Sequence, residues 1–288
     1  MKRVILIPNL QKQNAYQSTC RIAEKLFSLG AAIEMSQEYK DAFSSCSMIQ
    51  FSKDLESIMD RCDVVVTIGG DGTIIHAAKH AARHKKPLLG INCGRLGFMA
   101  ALEMNEIDCL SNLIEGKYEI ERRMMLTVTV NKNGEIQKYN ALNDAVISKG
   151  DLSRMVDLSV YHNGSHLCDY RSDGIILSTP TGSTAYSLSA GGPVVDPLAH
   201  AVLLTPICPH SLFSRSILFG EKSKLLVRLS ERQTMEVYLT VDGESSIPLS
   251  GDDWVSVEKA EQEVELIQLK PQQFYEVLTT KFLGRGTR

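Results

Sequence analysis

The chain has 288 residues, 43% hydrophobic and 23% charged, with a net charge of −3. This is the make-up of a folded globular protein with room for two domains, and it carries no electrostatic footprint for nucleic acid. No apolar run nears the ~20 residues of a membrane span, and the apolar part of the N-terminus is too short for a signal peptide.

Seven cysteines, at positions 20, 46, 62, 93, 109, 168 and 208, include no Cys-x-x-Cys pair. Their odd number favours reduced, buried thiols in a cytoplasmic protein over a disulfide framework or a zinc site.

Residues 4–8 read as a first strand and residues 14–29 as a helix. Tyr16, Ile22, Leu26, Phe27 and Leu29 are its apolar residues, and Gly30 follows as a stop signal. A weak strand is expected at 32–35. Residues 36–50 have no strong pattern and are expected to form a mobile loop. Next, Val64 to Ile68 is a run of β-branched residues, read as a buried strand. Gly69-Gly70-Asp71-Gly72-Thr73 leaves room only for a sharp turn. Ile74, Ile75, Ala78, Ala81 and Ala82 then recur at helical spacing.

Strand, glycine loop and helix together present free backbone N–H groups and a helix N-terminus to phosphate. Asp71 repels phosphate, so its presence in that setting calls for a chemical reason, either binding a metal or taking a proton from a hydroxyl. The alternative is an Asp-Gly turn with the acid as a helix cap. Ile75 stands where a dinucleotide fingerprint has its third glycine, and no Gly-Lys-Ser/Thr loop exists. Both a dehydrogenase Rossmann site and a P-loop are thereby disfavoured.

His76, His80 and His84 share a helix face without the glutamate of a metalloprotease motif, so no metal site is assigned there. His76, one turn from the loop, is a candidate contact to phosphate or substrate. Arg83-His84-Lys85-Lys86 reads as a solvated helix end. Residues 87–92 form another short strand, followed by Gly94 and Gly97 at its carboxyl end. A short helix at 105–116 closes this α/β half.

Beyond it the pattern is mostly β. Residues 126–130 alternate, Asn133-Gly134 is a turn, and 136–147 resumes the strand. Asn143 and Asp144 interrupt that strand, one toward each face: either a bulge or turn, or a pair of contacts to ribose or base. A hairpin is expected over 155–178 with Asn163-Gly164 at its tip. Its end opens into a long loop, residues 179–193, dense in hydroxyls and small side chains. Such a loop can satisfy its own backbone, or admit a flat base with Tyr186 stacking on it. Strands follow at 216–219, 224–229, 235–241, 253–258 and 264–269, with a helix at 271–279. Asp242-Gly243-Glu244 reads as a structural acidic turn.

Taken together, Gly-Gly-Asp-Gly-Thr at 69–73, Asn-Asp at 143–144 and Ser-Asp-Gly…Thr-Pro-Thr-Gly-Ser-Thr-Ala-Tyr at 172–186 resemble the NAD kinase family. Lipid kinases share the first motif but lack the last. A non-catalytic nucleotide-binding regulator would lack Asp71.

The resemblance implies a Rossmann-like α/β domain (1–118, with 270–288 packing back on it) and a β-rich, sandwich-like domain (119–269), with the active site between them. It implies transfer of the ATP γ-phosphate to the 2′-hydroxyl of the adenosine ribose of NAD, with Mg²⁺ or another divalent cation accompanying ATP. It also implies a homodimer or homotetramer; charge and hydropathy lead us to expect no nucleic-acid or membrane partner. Carried over by position, Asp71 resembles the proton acceptor, and Gly72 lets backbone meet nucleotide. Asn143 and Asp144 resemble the pair that binds the adenosine portion. Arg171 and Asp173 resemble nucleotide contacts, and Thr184, Ala185, Tyr186, Ser187, Leu188 and Ser189 the adenine and ribose loop. His76, Arg154 and Glu244 fall where the family has variable polar contacts.

Overall fold

The apolar runs at 4–7, 64–68 and 88–91 become the middle of a parallel sheet, which is why they are apolar throughout rather than alternating. The computed structural model describes residues 1–94, 97–150, 154–210, 214–230, 236–270 and 274–283. The chain divides into two units, Met1–Arg122 with Val264–Arg288, and Arg123–Glu263.

In the first unit, β1 (Arg3–Pro8), α1 (Ala15–Ser28), β2 (Ala32–Ser36), β3 (Ile49–Ser52), α2 (Leu55–Arg61), β4 (Val64–Gly69), α3 (Asp71–Arg83), β5 (Leu88–Asn92), β6 (Leu102–Glu103) and α4 (Leu110–Glu115) follow in order. The parallel strand order is β3-β2-β1-β4-β5-β6. Connections run one way from β1 and the other way from β4, so the order reverses between them. At such a switch the carboxyl ends of the strands open a ligand crevice.

Residues 36–50 depart from the expected loop. They hold a 3₁₀ turn at Gln37–Tyr39 and lead into β3, and Phe43 is fully buried. A single aromatic anchor leaves no periodic trace in sequence. Helix α2 is a further addition to the expected elements. Its seven residues are too few to show a period, and its start is fixed by Asp54, whose side chain accepts from Glu56 N–H at 3.1 Å.

The second unit contains β7 (Glu119–Lys132, from Arg123 on), β8 (Glu135–Ala141), β9 (Asp144–Lys149), β10 (Val156–His162), β11 (Ser165–Ser172), β12 (Gly174–Ser178), α5 (Tyr186–Ser189), β13 (Ala201–Ile207), β14 (Ile217–Gly220), β15 (Leu225–Leu229), β16 (Val237–Val241) and β17 (Ser245–Leu249). It also contains β18 (Trp254–Gln268) as far as Glu263. One antiparallel sheet runs β14-β13-β12-β9-β16-β17. The other carries β11-β10-β15-β18, with the β7–β8 hairpin on β18. Alternate residues such as Val156, Leu158, Val160, Ile175, Leu177, Val202, Leu204 and Val237 form one core shared by the two sheets.

Several strand expectations change here. The hairpin expected over 155–178 ends at Ser172, and β12 joins the other sheet. The strands expected at 253–258 and 264–269 are one strand. The exposed residues Glu261 and Gln262 interrupt the apolar pattern but not the strand. Strands β13 and β17 are additions, the latter hidden because Pro248 argues against a strand interior; β17 is an edge strand, where proline is tolerated. The chain closes with α6 (Phe274–Leu283) in the first unit, its Phe274 ring 6.1 Å from that of Phe98. Of the region expected as helix, 271–273 lies outside the described residues, as do 284–288 of the segment expected to pack back.

All seven cysteines are free, but only Cys62 is buried and Cys208 is exposed. Cys20 and Cys46, far apart in sequence, bring their sulfurs to 3.4 Å. No helix among the described residues is long and apolar enough to cross a membrane.

Candidate active site

In the first unit, three strand ends converge. Gly69 lies in register with Asn92, and Cys93 N–H donates to Gly69 O at 3.1 Å. Asn9 N–H donates to Ile68 O at 2.9 Å, and Asn9 Nδ2 donates to Thr73 Oγ1 at 3.3 Å. A pocket of about 670 Å³ opens here, lined by Pro8, Asn9, Gly72, Thr73 and His76 among others. Gly72 and His76 are both exposed on its wall, in the first turns of α3.

Asp71 is not the helix cap; Gly70 holds that position and Asp71 is the first helical residue. Its carboxylate reaches across to the loop after β5 instead. Oδ2 accepts from Phe98 N–H at 2.9 Å and Oδ1 from Met99 N–H at 3.1 Å. A Cβ at position 97 would run into Asp71 Oδ1, so glycine is what lets that loop close on the acid. A carboxylate has about four acceptor positions. Two are spent on orientation, and the others remain for a ligand. The sequence marked Gly97 only as one more glycine; nothing local tied it to Asp71.

Two of the three histidines, His80 in α3 and His84 just after it, turn toward Glu56 of α2. His84 is bracketed by Asp60 at Nδ1 and Glu56 at Nε2, both at 2.7 Å, and His80 Nδ1 lies 3.7 Å from Glu56. Lys86 Nζ donates to the carbonyls of Asp60 and Cys62, both at 2.8 Å. Within the basic run His84 and Lys86 are thus tied to α2 and the residue after it, while Arg83 and Lys85 are exposed as expected of a solvated helix end. Among the described residues no group of three or more His, Cys, Asp or Glu could hold a metal ion.

In the second unit, the chain breaks between β8 and β9, so Asn143 sits in a bend and Asp144 begins the next strand. That corrects the expectation of one continuous strand, and the cause is Asp242. Its Oδ2 accepts from Leu142 N–H at 2.9 Å, and its Oδ1 from Asn143 N–H at 2.8 Å and Asp144 N–H at 3.0 Å. Thr179 grips the same bend from another side: its N–H donates to Asn143 O at 2.9 Å and its Oγ1 to Leu142 O at 2.6 Å. Gly182 packs so closely that a Cβ there would run into Asn143 O.

Asp144 is 5% exposed, and its carboxyl has no hydrogen bond or ion pair among the described residues. Burial, and then the neighbouring Asp242 charge, push its pKa up to about 7. Ser178, its register partner on β12, has a buried hydroxyl that is also unpartnered among the described residues.

The hydroxyl-rich stretch is not a plain loop but a 3₁₀ turn, Thr181–Thr184, followed by α5. Ser187 is fully buried and its Oγ lies 2.9 Å from Thr205 Oγ1, so that side chain serves the scaffold. Thr184 Oγ1 donates to Thr181 O at 3.1 Å. Tyr186 is exposed, and Thr184, Ala185, Leu188 and Ser189 lie along the same turn and helix. Asp173 is ion-paired with Lys149 at 2.7 Å, and Arg171 Nε lies 4.0 Å from Asp157. Arg154 and Glu244 are exposed, Glu244 two residues after Asp242. The structure thus gathers 142–144, 179–182 and 242 into one cluster. Asp242, a structural turn by its sequence alone, is the centre of that cluster; no local signal marks it.

Both units also resemble known proteins. The family profile for the ATP-NAD kinase N-terminal domain matches residues 4–118, and that for the C-terminal domain matches 142–269. A protein named NAD kinase from Ruminiclostridium cellulolyticum is 36% identical over 287 residues, covering 99% of both chains. Another, from Acetivibrio thermocellus, is 41% identical over 233 residues, covering 80% of this chain and 81% of its own. A solved yeast NADH kinase, complexed with NADH, superposes with a TM-score of 0.89 at 25% identity, over 100% of this chain and 89% of its own. An Archaeoglobus fulgidus NAD kinase in complex with ATP gives 0.74 at 24% identity, over 99% of this chain and 98% of its own, a likeness of fold. With both domains matched and a full-length relative above a third identical, the chain belongs to the NAD kinase family of phosphotransferases.

Proposed function

We propose that this chain transfers the ATP γ-phosphate to the 2′-hydroxyl of the adenosine ribose of NAD, giving NADP and ADP. One observation carries the reading: Asp71, at the mouth of the glycine loop, has its carboxylate turned and fixed by the Phe98 and Met99 N–H groups. A phosphate-loop acid aimed by two backbone donors suits an acceptor for a hydroxyl proton.

Phosphoryl transfer leaves a protein little covalent chemistry to do; alignment and charge neutralisation are most of the work. In our reading Asp71 takes the 2′-hydroxyl proton as the new O–P bond forms and the bond to ADP breaks. Gly72 and the first-turn N–H groups of α3 receive phosphate, and His76 adds a contact. Asn143 and Asp144 hold the adenosine portion: Asn143 through its amide, Asp144 as a carboxylate that accepts from sugar hydroxyls. Thr184 to Ser189 form the adenine and ribose wall, where Tyr186 stacks and Ser187 acts through its backbone. Arg154, Arg171, Asp173 and Glu244 complete the polar rim.

The described residues supply no cage for a divalent cation by themselves. A divalent cation bound with ATP would supply neutralisation of the phosphate charge. The seven free thiols support a reducing compartment, the cytoplasm, and we take the working form to be a homodimer or homotetramer.

The test is NADP formation by the purified protein from NAD, ATP and Mg²⁺, followed with an NADP-specific dehydrogenase. Steady formation is expected. No product with NAD or NADH as acceptor would overturn the reading.

A further inference from the structure

The cluster in the second unit gives a role to a residue outside the nucleotide contacts proposed above. Asp242 sits at a turn with φ of 50°, a conformation that aspartate tolerates better than most residues. From there one carboxylate takes three consecutive backbone N–H groups, those of Leu142, Asn143 and Asp144, at 2.8–3.0 Å. Its own N–H donates back to Asp144 O at 2.9 Å. Charge-assisted bonds of this kind are about twice as strong as neutral ones. Thr179 clamps the opposite side: its hydroxyl donates to Leu142 O, and the hydroxyl oxygen accepts from Gly182 N–H at 3.0 Å. The bend is therefore held by donors and acceptors from two other segments, β16–β17 and the turn after β12.

We propose that Asp242 is a positioning residue for phosphoryl transfer: by gripping the backbone of 142–144 it fixes the direction in which Asn143 and Asp144 are presented to the dinucleotide, with Thr179 as its counterpart. This rests on the reading that Asn143 and Asp144 bind the adenosine portion.

A structural turn alone would need no three-fold grip on a bend whose following acid has no partner of its own among the described residues. The charge also has a second effect. Among the described residues Asp242 is the charged group that acts on Asp144, from the β16–β17 turn, and the register partner of Asp144 on β12 is the neutral Ser178. Removing the Asp242 charge should make Asp144 more acidic, while its burial persists.

The experiment compares Asp242→Asn, Thr179→Val and Asp144→Ala in steady-state assays with NAD, ATP and Mg²⁺ from pH 5 to 9, with thermal melts for each. Asp242→Asn should raise KM for NAD about tenfold or more while KM for ATP stays put. The low-pH limb of its kcat/KM for NAD should move to lower pH. Thr179→Val should raise KM for NAD in the same direction without moving that limb, since it removes no charge. A folded Asp242→Asn enzyme with the parent KM for NAD and an unmoved limb would overturn the proposal. If Asp242→Asn does not fold, hydrogen exchange on the parent enzyme decides: the amides of 142–144 must be protected without ligand, and free exchange there sinks the idea. The underlying reading fails separately, if Asp144→Ala binds NAD as the parent does.

Discussion

Asp71 and Asp144 are acids at two strand ends, and the fold treats them in opposite ways. Asp71 is half-buried and receives two backbone N–H groups. Asp144 is almost wholly buried, receives none to its carboxyl among the described residues, and has a second carboxylate as neighbour. The first arrangement fixes the direction of a carboxylate. The second leaves a carboxyl with no hydrogen-bond partner among the described residues, a polar group open to a ligand. A buried group without a partner costs stability, so its presence marks a place where function outweighs folding.

The largest expected effect tests the first acid. Asp71→Asn keeps the size of the side chain but removes the proton acceptor, and turns an amide nitrogen toward a backbone donor. Turnover should fall by about 10²–10⁴-fold with NAD binding retained. Rapid kinetics and equilibrium binding on the same preparation check both halves; a near-parent rate would remove Asp71 from its role.

Next comes the second site's scaffold. Gly182→Ala forces a Cβ against Asn143 O, so backbone must move. A loss of about 1–3 kcal/mol in urea unfolding is expected, with weakened NAD binding. Unchanged stability would mean that the close approach at Asn143 is not maintained in solution.

Asp144→Asn sharpens the contrast through pH. Folded Asp144 holds its proton up to about pH 7, whereas an unfolded aspartate releases it near 4. Between those values the folded state binds more protons, so this residue's contribution to stability declines as pH rises from about 4 to about 7. The asparagine variant lacks that decline. It should melt higher than the parent at pH 8, match it near pH 4, and bind NAD more weakly. A variant less stable than the parent at pH 8 would count against a buried, unpartnered acid.

The smallest effect belongs to a region where charge serves only the fold. Burial lowers the His84 pKa, but the bonds to Asp60 and Glu56 outweigh it and the net shift is upward. Its contribution is present below the unfolded value near 6.5 and is lost as pH rises through the raised folded value. His84→Gln should lower the melting temperature slightly at pH 6 and not at all at pH 9, with catalysis untouched.

The elements that could be read locally were those with a strong period or a strong turn. The strand at 64–68, the helix after Asp71 and the Asn-Gly hairpins at 133–134 and 163–164 each carry their signal within a few residues. Short or irregular pieces do not: α2, the anchor at Phe43 and edge strand β17 depend on what packs against them. For the site, the sequence supplied the motifs at 69–73, 143–144 and 172–186, because phosphate loops and hydroxyl-rich turns need particular residue types. It could not supply their partners. Asp71 meets residues 98 and 99, and Asp242 meets a bend about a hundred positions earlier. Sequence by itself determined which chemical groups this protein owns and the local shapes that carry them. Tertiary structure alone decided which carboxylate is aimed, which is left unpartnered and which becomes the clamp, because hydrogen bonding and desolvation act through distance in space and not along the chain.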